Sequence, residues 1–235
     1  MPAACGACHQ TVLIARRIRI ALGLLACWGC ASNAQVAVTT PFTIESRHTI
    51  SDLASQTSTA SELTLRLSVA NIDRWDDAEV TAALRSAAKL LAQCEIRIAG
   101  AELLQISVPE THRHFDTPRS RELARALALP KPTLYFTAGT RQVPAFDAEA
   151  IGRGNSRSRP ELSDTVWIAR GARDLGQVIA HELVHVLMDS GAHDNSPGNL
   201  MAEDIAPQNT QLKAAQCMQM RSTGTRNGLL RPGVN

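Results

Sequence analysis

His181-Glu182-Leu183-Val184-His185 is the stretch of this chain whose residue types and spacing can do chemistry. Two histidines four residues apart lie on one face of a helix, one turn apart, where two imidazoles can hold one metal ion. Glu182 projects about 100° around the helix from His181. From there its carboxylate can reach a water on the metal without ligating it, as a general base must. A catalytic zinc takes three protein ligands and leaves a fourth position to water. The third ligand must come from beyond His185. His193 stands there, two residues after Gly191 and before the turn-forming run Asp194-Asn195-Ser196-Pro197-Gly198-Asn199. The chemistry these residues offer is hydrolysis by a zinc-activated water, with Zn2+ as cofactor and Glu182 as base. The plain alternative is a buried helix that merely carries two histidines and an acid, an arrangement that is costly unless those groups are satisfied.

The motif needs a helix, and its surroundings predict one. Residues 172–180 lead in without a proline, and Leu175, Val178, Ile179, Leu183, Val186 and Leu187 recur at helical spacing. Asp174 is placed as N-cap, and Gly191 is placed to end the helix in a left-handed turn. Upstream, Leu63, Leu65, Leu67 and Val69 alternate as in a strand. Residues 76–93 read as a helix with Val80, Leu84, Ala87, Ala88 and Leu91 inward, and residues 96–108 as a strand region. A short helix is expected over 120–129, stopped by Pro130 and Pro132. Thr133 to Thr137 and Thr165 to Ala169 are expected buried strands. Pro207 is placed to open a last helix that runs to about Arg221.

The order of HExxH helix, Gly bend, third histidine and Met201 resembles the metzincin clan of zinc endopeptidases, in particular its matrixin-like bacterial branch. His181, Glu182, His185 and Met201 match that pattern position by position. The spacing departs in the middle: Met188 occupies the family's Gly position and Gly191 its third-His position, so the bend is displaced and His193 comes two residues late. Asp194 is the nearest substitute ligand, and Glu203 would be the third ligand in a different zinc-peptidase plan. The resemblance implies an α+β fold with a twisted, mostly parallel sheet, an active-site helix, a Met-turn at Met201 packing beneath the ligands, and a C-terminal helix. It implies a peptide substrate lying extended along an edge strand, which would be Thr165 to Ala169 or the segment just before it. The motif covers only about residues 178–201.

The N-terminus predicts export. Arg16-Arg17-Ile18-Arg19 precedes an apolar run to Trp28, and Ser32-Asn33-Ala34 supplies an A-x-A-like cleavage site, the layout of a secretory signal peptide over residues 1–34. A lipobox-like Leu24-Leu25-Ala26-Cys27 offers a lipoprotein alternative through Cys27. Residues 35–61 read as an extended Ser/Thr-rich arm and 62–235 as the catalytic domain. Of six cysteines, Cys5, Cys8, Cys27 and Cys30 lie in or before the leader. Cys94 and Cys217 remain as a pair for a disulfide in an exported, periplasmic or extracellular protein. A net charge of +2 gives no reason to expect nucleic acid or a membrane surface as partner, and the apolar run is too short for a confident transmembrane span. The expected partner is a protein or peptide substrate, and the expected state is a monomer. His112 and His114, and the cluster Arg153, Arg157 and Arg159, read as solvated loop residues, and His48 has no evident partner. The function read from all this is a secreted zinc endopeptidase. A secreted zinc amidase acting on cell wall would use the same groups. A non-catalytic zinc module would have no need of Glu182 and would close its fourth position with protein.

Overall fold

The computed structural model describes residues 41–51, 53, 62–142, 146 and 148–233. The leader, its lipobox and most of the arm lie outside the described residues. The strands are β1 (Thr43–Ile50), β2 (Leu63–Asn71), β3 (Ile96–Ser107), β4 (His114–Phe115), β5 (Thr133–Thr137), β6 (Gly139–Thr140), β7 (Ala148–Ile151), β8 (Thr165–Ala169) and β9 (Leu230–Pro232). The helices are α1 (Asp77–Leu91), α2 (Thr117–Leu127), α3 (Leu175–Met188) and α4 (Ala214–Arg226).

The main sheet runs β1-β3-β2-β5-β8-β7, with β9 also paired to β2. The inner strands β3, β2, β5 and β8 are parallel, and the edge strands β1 and β7 are antiparallel to their neighbours. The mostly parallel sheet packed with helices is as the α+β reading expected, with strands and helices mixed along the chain. Within the expected arm, Thr43–Ile50 is an edge strand of this sheet, paired with β3.

Both faces of the sheet are covered, which is why β5 and β8 are buried at every position. Leu134, Phe136, Val166 and Ile168 point to the side of α1, α3 and α4. Tyr135 and Trp167 point the other way, toward α2, and stack with centroids 3.9 Å apart. The two-residue period of a strand thus sorts an unbroken apolar run into two cores. On the first side α3 lies against α1 at Gly176, where a Cβ would come within 2.3 Å of Ser86 Cβ, so only glycine admits this approach. Cys94, beside the end of α1, is bridged to Cys217 of α4, as expected. In the chain-entropy picture, closing a loop of 123 residues constrains the unfolded chain by about 4–5 kcal/mol.

Several boundaries differ from expectation. Helix α2 starts at Thr117 because Asp116 caps it and Pro118 occupies its first turn. Helix α4 starts at Ala214 rather than at Pro207. The intervening chain is held extended by Gln211, whose backbone pairs with Gly198 and Leu200 (2.9 and 2.7 Å). Asp174 precedes α3, but in a left-handed conformation and without a side-chain cap. His112 is buried rather than solvated, bonded to Glu122 (3.1 Å) and edge-on to Phe42. Arg153 is tied to buried Asp164 and to the Asn227 carbonyl instead of lying free in a loop. No helix among the described residues is long and apolar enough to cross a membrane.

Candidate active site

Helix α3 is buried along nearly its whole length, and one turn of it presents His181, Glu182 and His185. Their relative exposures are 3, 7 and 9%. The helix ends at Met188, and Asp189 adopts the left-handed conformation (φ 49°) that closes it. This corrects the expected role of Gly191, which has no positive φ. The bend therefore falls one residue after the family's Gly position, and residues 190–192 carry the chain back to His193. The return is anchored at both ends: Ser190 N–H donates to the His185 carbonyl (3.1 Å), and Asp194 N–H donates to the Met201 carbonyl (2.7 Å).

His181, His185 and His193 converge: one ring nitrogen from each lies within 4.8 Å of the others, the only such group of three among the described residues. The His185 Nε2 stands 3.0 Å from that of His181 and 3.3 Å from that of His193. The opposite nitrogens of the two helix histidines face carbonyl oxygens, His181 Nδ1 at Leu200 (2.8 Å) and His185 Nδ1 at Ser190 (2.7 Å). A carbonyl can only accept, so each neutral ring keeps its proton on Nδ1 and turns an Nε2 lone pair inward. Burial pushes both imidazoles below their ordinary range, His185 to about 4. Facing lone pairs at 3.0 Å repel unless a cation lies between them. Two ligands on a tetrahedral zinc stand roughly 3.3 Å apart, so the donor set fits that metal. The pinned Nδ1 positions supply the outer support that orients metal-binding imidazoles.

The carbonyl that fixes His181 belongs to the turn Asn199–Met201, and that turn is itself held. Asn199 and Gln216 exchange amide hydrogen bonds (3.2 and 3.1 Å), and Asn199 Oδ1 accepts Met201 N–H (2.8 Å). Met201 is buried in the same core cluster as the apolar residues of α3. The two alternative ligands are elsewhere. Asp194 spends its oxygens on Lys213 Nζ (2.6 Å) and Ser196 Oγ (2.5 Å), and these bonds hold its carboxyl down at about 2. Glu203 stands apart from the histidine group.

Glu182 makes no hydrogen bond to any described residue. Burial, reinforced by the nearby charge of Glu149, pushes its carboxyl up to about 8. It borders two cavities. One of about 270 Å³ lies toward the C-terminal end of α3 and is lined in part by Glu149, Asp189 and His193. The other, about 730 Å³, lies toward the N-terminal end, with Arg173, Val178 and Glu203 in its wall. Both reach Ala148 on β7. That strand pairs only with β8 among the described residues, so it is the open edge above the cleft, and Thr165–Ala169 is an inner strand. Neither expected location is the edge: Thr165–Ala169 is an inner strand, and the edge strand β7 ends at Ile151, well before the segment that leads into β8. Glu149, Asp189 and Gln216 were not singled out by sequence. Asp189 carried a weak signal, standing one residue past the helix's last apolar position.

No family model matches the chain, and no curated protein matches it. Among solved structures it is similar to metalloproteinase-II from Bacteroides fragilis, with 14% identity and a TM-score of 0.49 over 72% of this chain. The match spans 55% of the length of that protein. It is also similar to archaemetzincin from Methanopyrus kandleri, with 10% identity and a TM-score of 0.47 over 69% of this chain and 97% of the other.

Proposed function

We propose that this chain is a zinc-dependent endopeptidase of metzincin-like plan, with a bend shifted by one residue and a third histidine two residues late. The observation that carries the proposal is the convergence of three imidazoles, two of them with Nδ1 pinned outward, beside a buried acid with no partner. His181, His185 and His193 would hold the metal. When bound, zinc supplies Lewis acidity, lowering the pKa of a water and polarising a carbonyl. A cation beside Glu182 favours its charged form, which offsets the burial that otherwise keeps it protonated. Glu182 then takes a proton from the attacking water and delivers it to the leaving amine. The open edge of β7 offers backbone N–H and C=O groups to an extended peptide, which would add as a further strand.

Export to the periplasm or beyond is part of the proposal. It is supported by the basic-then-apolar N-terminal pattern and by the Cys94–Cys217 bridge, which suits an oxidising compartment.

The test is hydrolysis of casein by zinc-loaded protein, with peptidoglycan as a parallel substrate. Casein cleavage should stop with a chelator and return with zinc. Glu182→Gln should keep its zinc and lose about 10²- to 10⁴-fold in kcat. Cleavage that survives Glu182→Gln would sink the assigned base, and cleavage of peptidoglycan alone would replace the peptidase with an amidase.

A further inference from the structure

The smaller cavity beside the histidines is acidic. Glu149, Glu182 and Asp189 line it, and no lysine or arginine does so among the described residues. Glu149 Oε2 is closed off from solvent and has no hydrogen-bond partner. Glu182, only 7% exposed, has none either. Asp189 Oδ1 accepts the Gly154 N–H (2.9 Å) and is given its room by Gly152, whose missing Cβ would stand 2.9 Å away. Arg159 attracts Glu149 through space, but its Nη2 bonds the Asn155 carbonyl (3.2 Å) instead. The sealed Oε2 is out of reach of the cavity, so Glu149 meets a ligand through its other carboxylate oxygen. An acceptor that lines the cavity without a donor, as Glu182 does, costs free energy that a ligand carrying donors would recover.

The shape of the cavity narrows the ligand. These carboxylates do not converge as the three histidines do, so a second metal ion is not what they fit. Acceptors spread around a wall suit a cation with several N–H donors, an ammonium or guanidinium. A volume of about 270 Å³ lies below the roughly 300–1,000 Å³ of pockets that take whole drug-sized ligands, so one side chain or one chain end fills it. Its wall includes β7 and Glu182, which puts that group next to the bond being cut.

We propose that this cavity is a cation subsite, in which Glu149, backed by Asp189, receives the alkylammonium or guanidinium of the substrate residue adjacent to the scissile bond. The group is either a lysine or arginine side chain or a free α-amino terminus. The inference rests on the peptidase reading above and names the substrate preference of that same cleft. Glu149 acts in it as a specificity residue and takes no part in the proton transfers.

The test measures binding of three small probes to the zinc-loaded full chain by ligand-detected NMR. Nα-acetyl-lysine methylamide carries a side-chain cation, norleucine methylamide a terminal one, and Nα-acetyl-norleucine methylamide none. At least one cationic probe should bind about tenfold or more tightly than the neutral one, and which one does so identifies the source. Glu149→Gln should retain zinc and abolish the preference, and Asp189→Asn should reduce it severalfold. Equal binding of all three probes, or a preference that survives Glu149→Gln, overturns the subsite. Failure of the peptidase reading is distinguishable: casein would stay intact while the cation preference remained.

Discussion

Asp73 and Glu182 are both carboxylates withdrawn from water, and their surroundings are opposite. Asp73, with its side chain 2% exposed, is bonded by Arg113 and Arg170 through its carboxylate, and Arg170 also donates to its backbone carbonyl (2.7 Å). Arg170 in turn lies over the Trp75 ring, 4.9 Å from its centroid. Glu182 has no donor among the described residues, and the acid Glu149 is its neighbour. Two arginines reach one buried acid, and among the described residues none reaches the other. A buried charge is tolerable when paired; the unpaired Glu182 is instead held in its neutral form in the metal-free protein.

The contrast can be broken by mutation, and the largest effect belongs to the paired acid. Asp73→Ala strips two guanidiniums of their partner. It should cost stability near the low end of about 3–5 kcal/mol, because both arginines are part-exposed and return to water. Chemical denaturation reads it, and a loss below about 1 kcal/mol would mean that the network contributes no more than exposed pairs do.

At Glu182 the sign reverses and depends on pH. In chelated, metal-free protein its carboxyl rises from 4.5 to about 8 on folding. The folded state therefore holds a proton that the unfolded state releases between those values. Stability from this group is full below 4.5 and is lost as pH rises through about 8. Denaturation midpoints of wild type should fall relative to those of Glu182→Gln across that window. Parallel profiles would contradict an unpaired buried acid. The smallest effect is expected from Arg170→Lys, which keeps the charge but loses the planar fork and the stacking on Trp75. A loss of about 1 kcal/mol in the same denaturation assay is expected, and no change would assign Asp73 wholly to Arg113.

The parts of the site that a helix positions were legible in the sequence, because a four-residue spacing on an apolar-periodic segment fixes which side chains share a face. His181 and His185 converge for that reason, with Glu182 about 100° around the helix beside them. His193 was legible by the need for a third donor and the turn-forming residues behind it. The bend itself was misplaced, since glycine preference pointed to Gly191 while Asp189 takes the left-handed position. Local propensity cannot show that Asp189 is held there by bonding Gly154, a residue 35 positions away. Strand β7 was missed for a similar reason. Ala-Glu-Ala-Ile has little strand character of its own and is extended because β8 pairs with it. With β7 went Glu149, which lines the cleft beside Glu182. The start of α4 was misjudged because Pro207 is a helix-start signal, whereas Gln211 is claimed by a bridge to the Met201 turn.

The most direct measurement is the zinc content and affinity of purified wild type beside His193→Ala, Asp194→Ala and Glu203→Ala. Wild type should bind one zinc per chain, and His193→Ala should lose it or hold it far more weakly. Asp194→Ala and Glu203→Ala should stay close to wild type, because Asp194 is committed to Lys213 and Ser196 and Glu203 lies outside the histidine group. Wild type that takes up no zinc, or a Glu203→Ala protein that loses it while His193→Ala retains it, would contradict the three-histidine site.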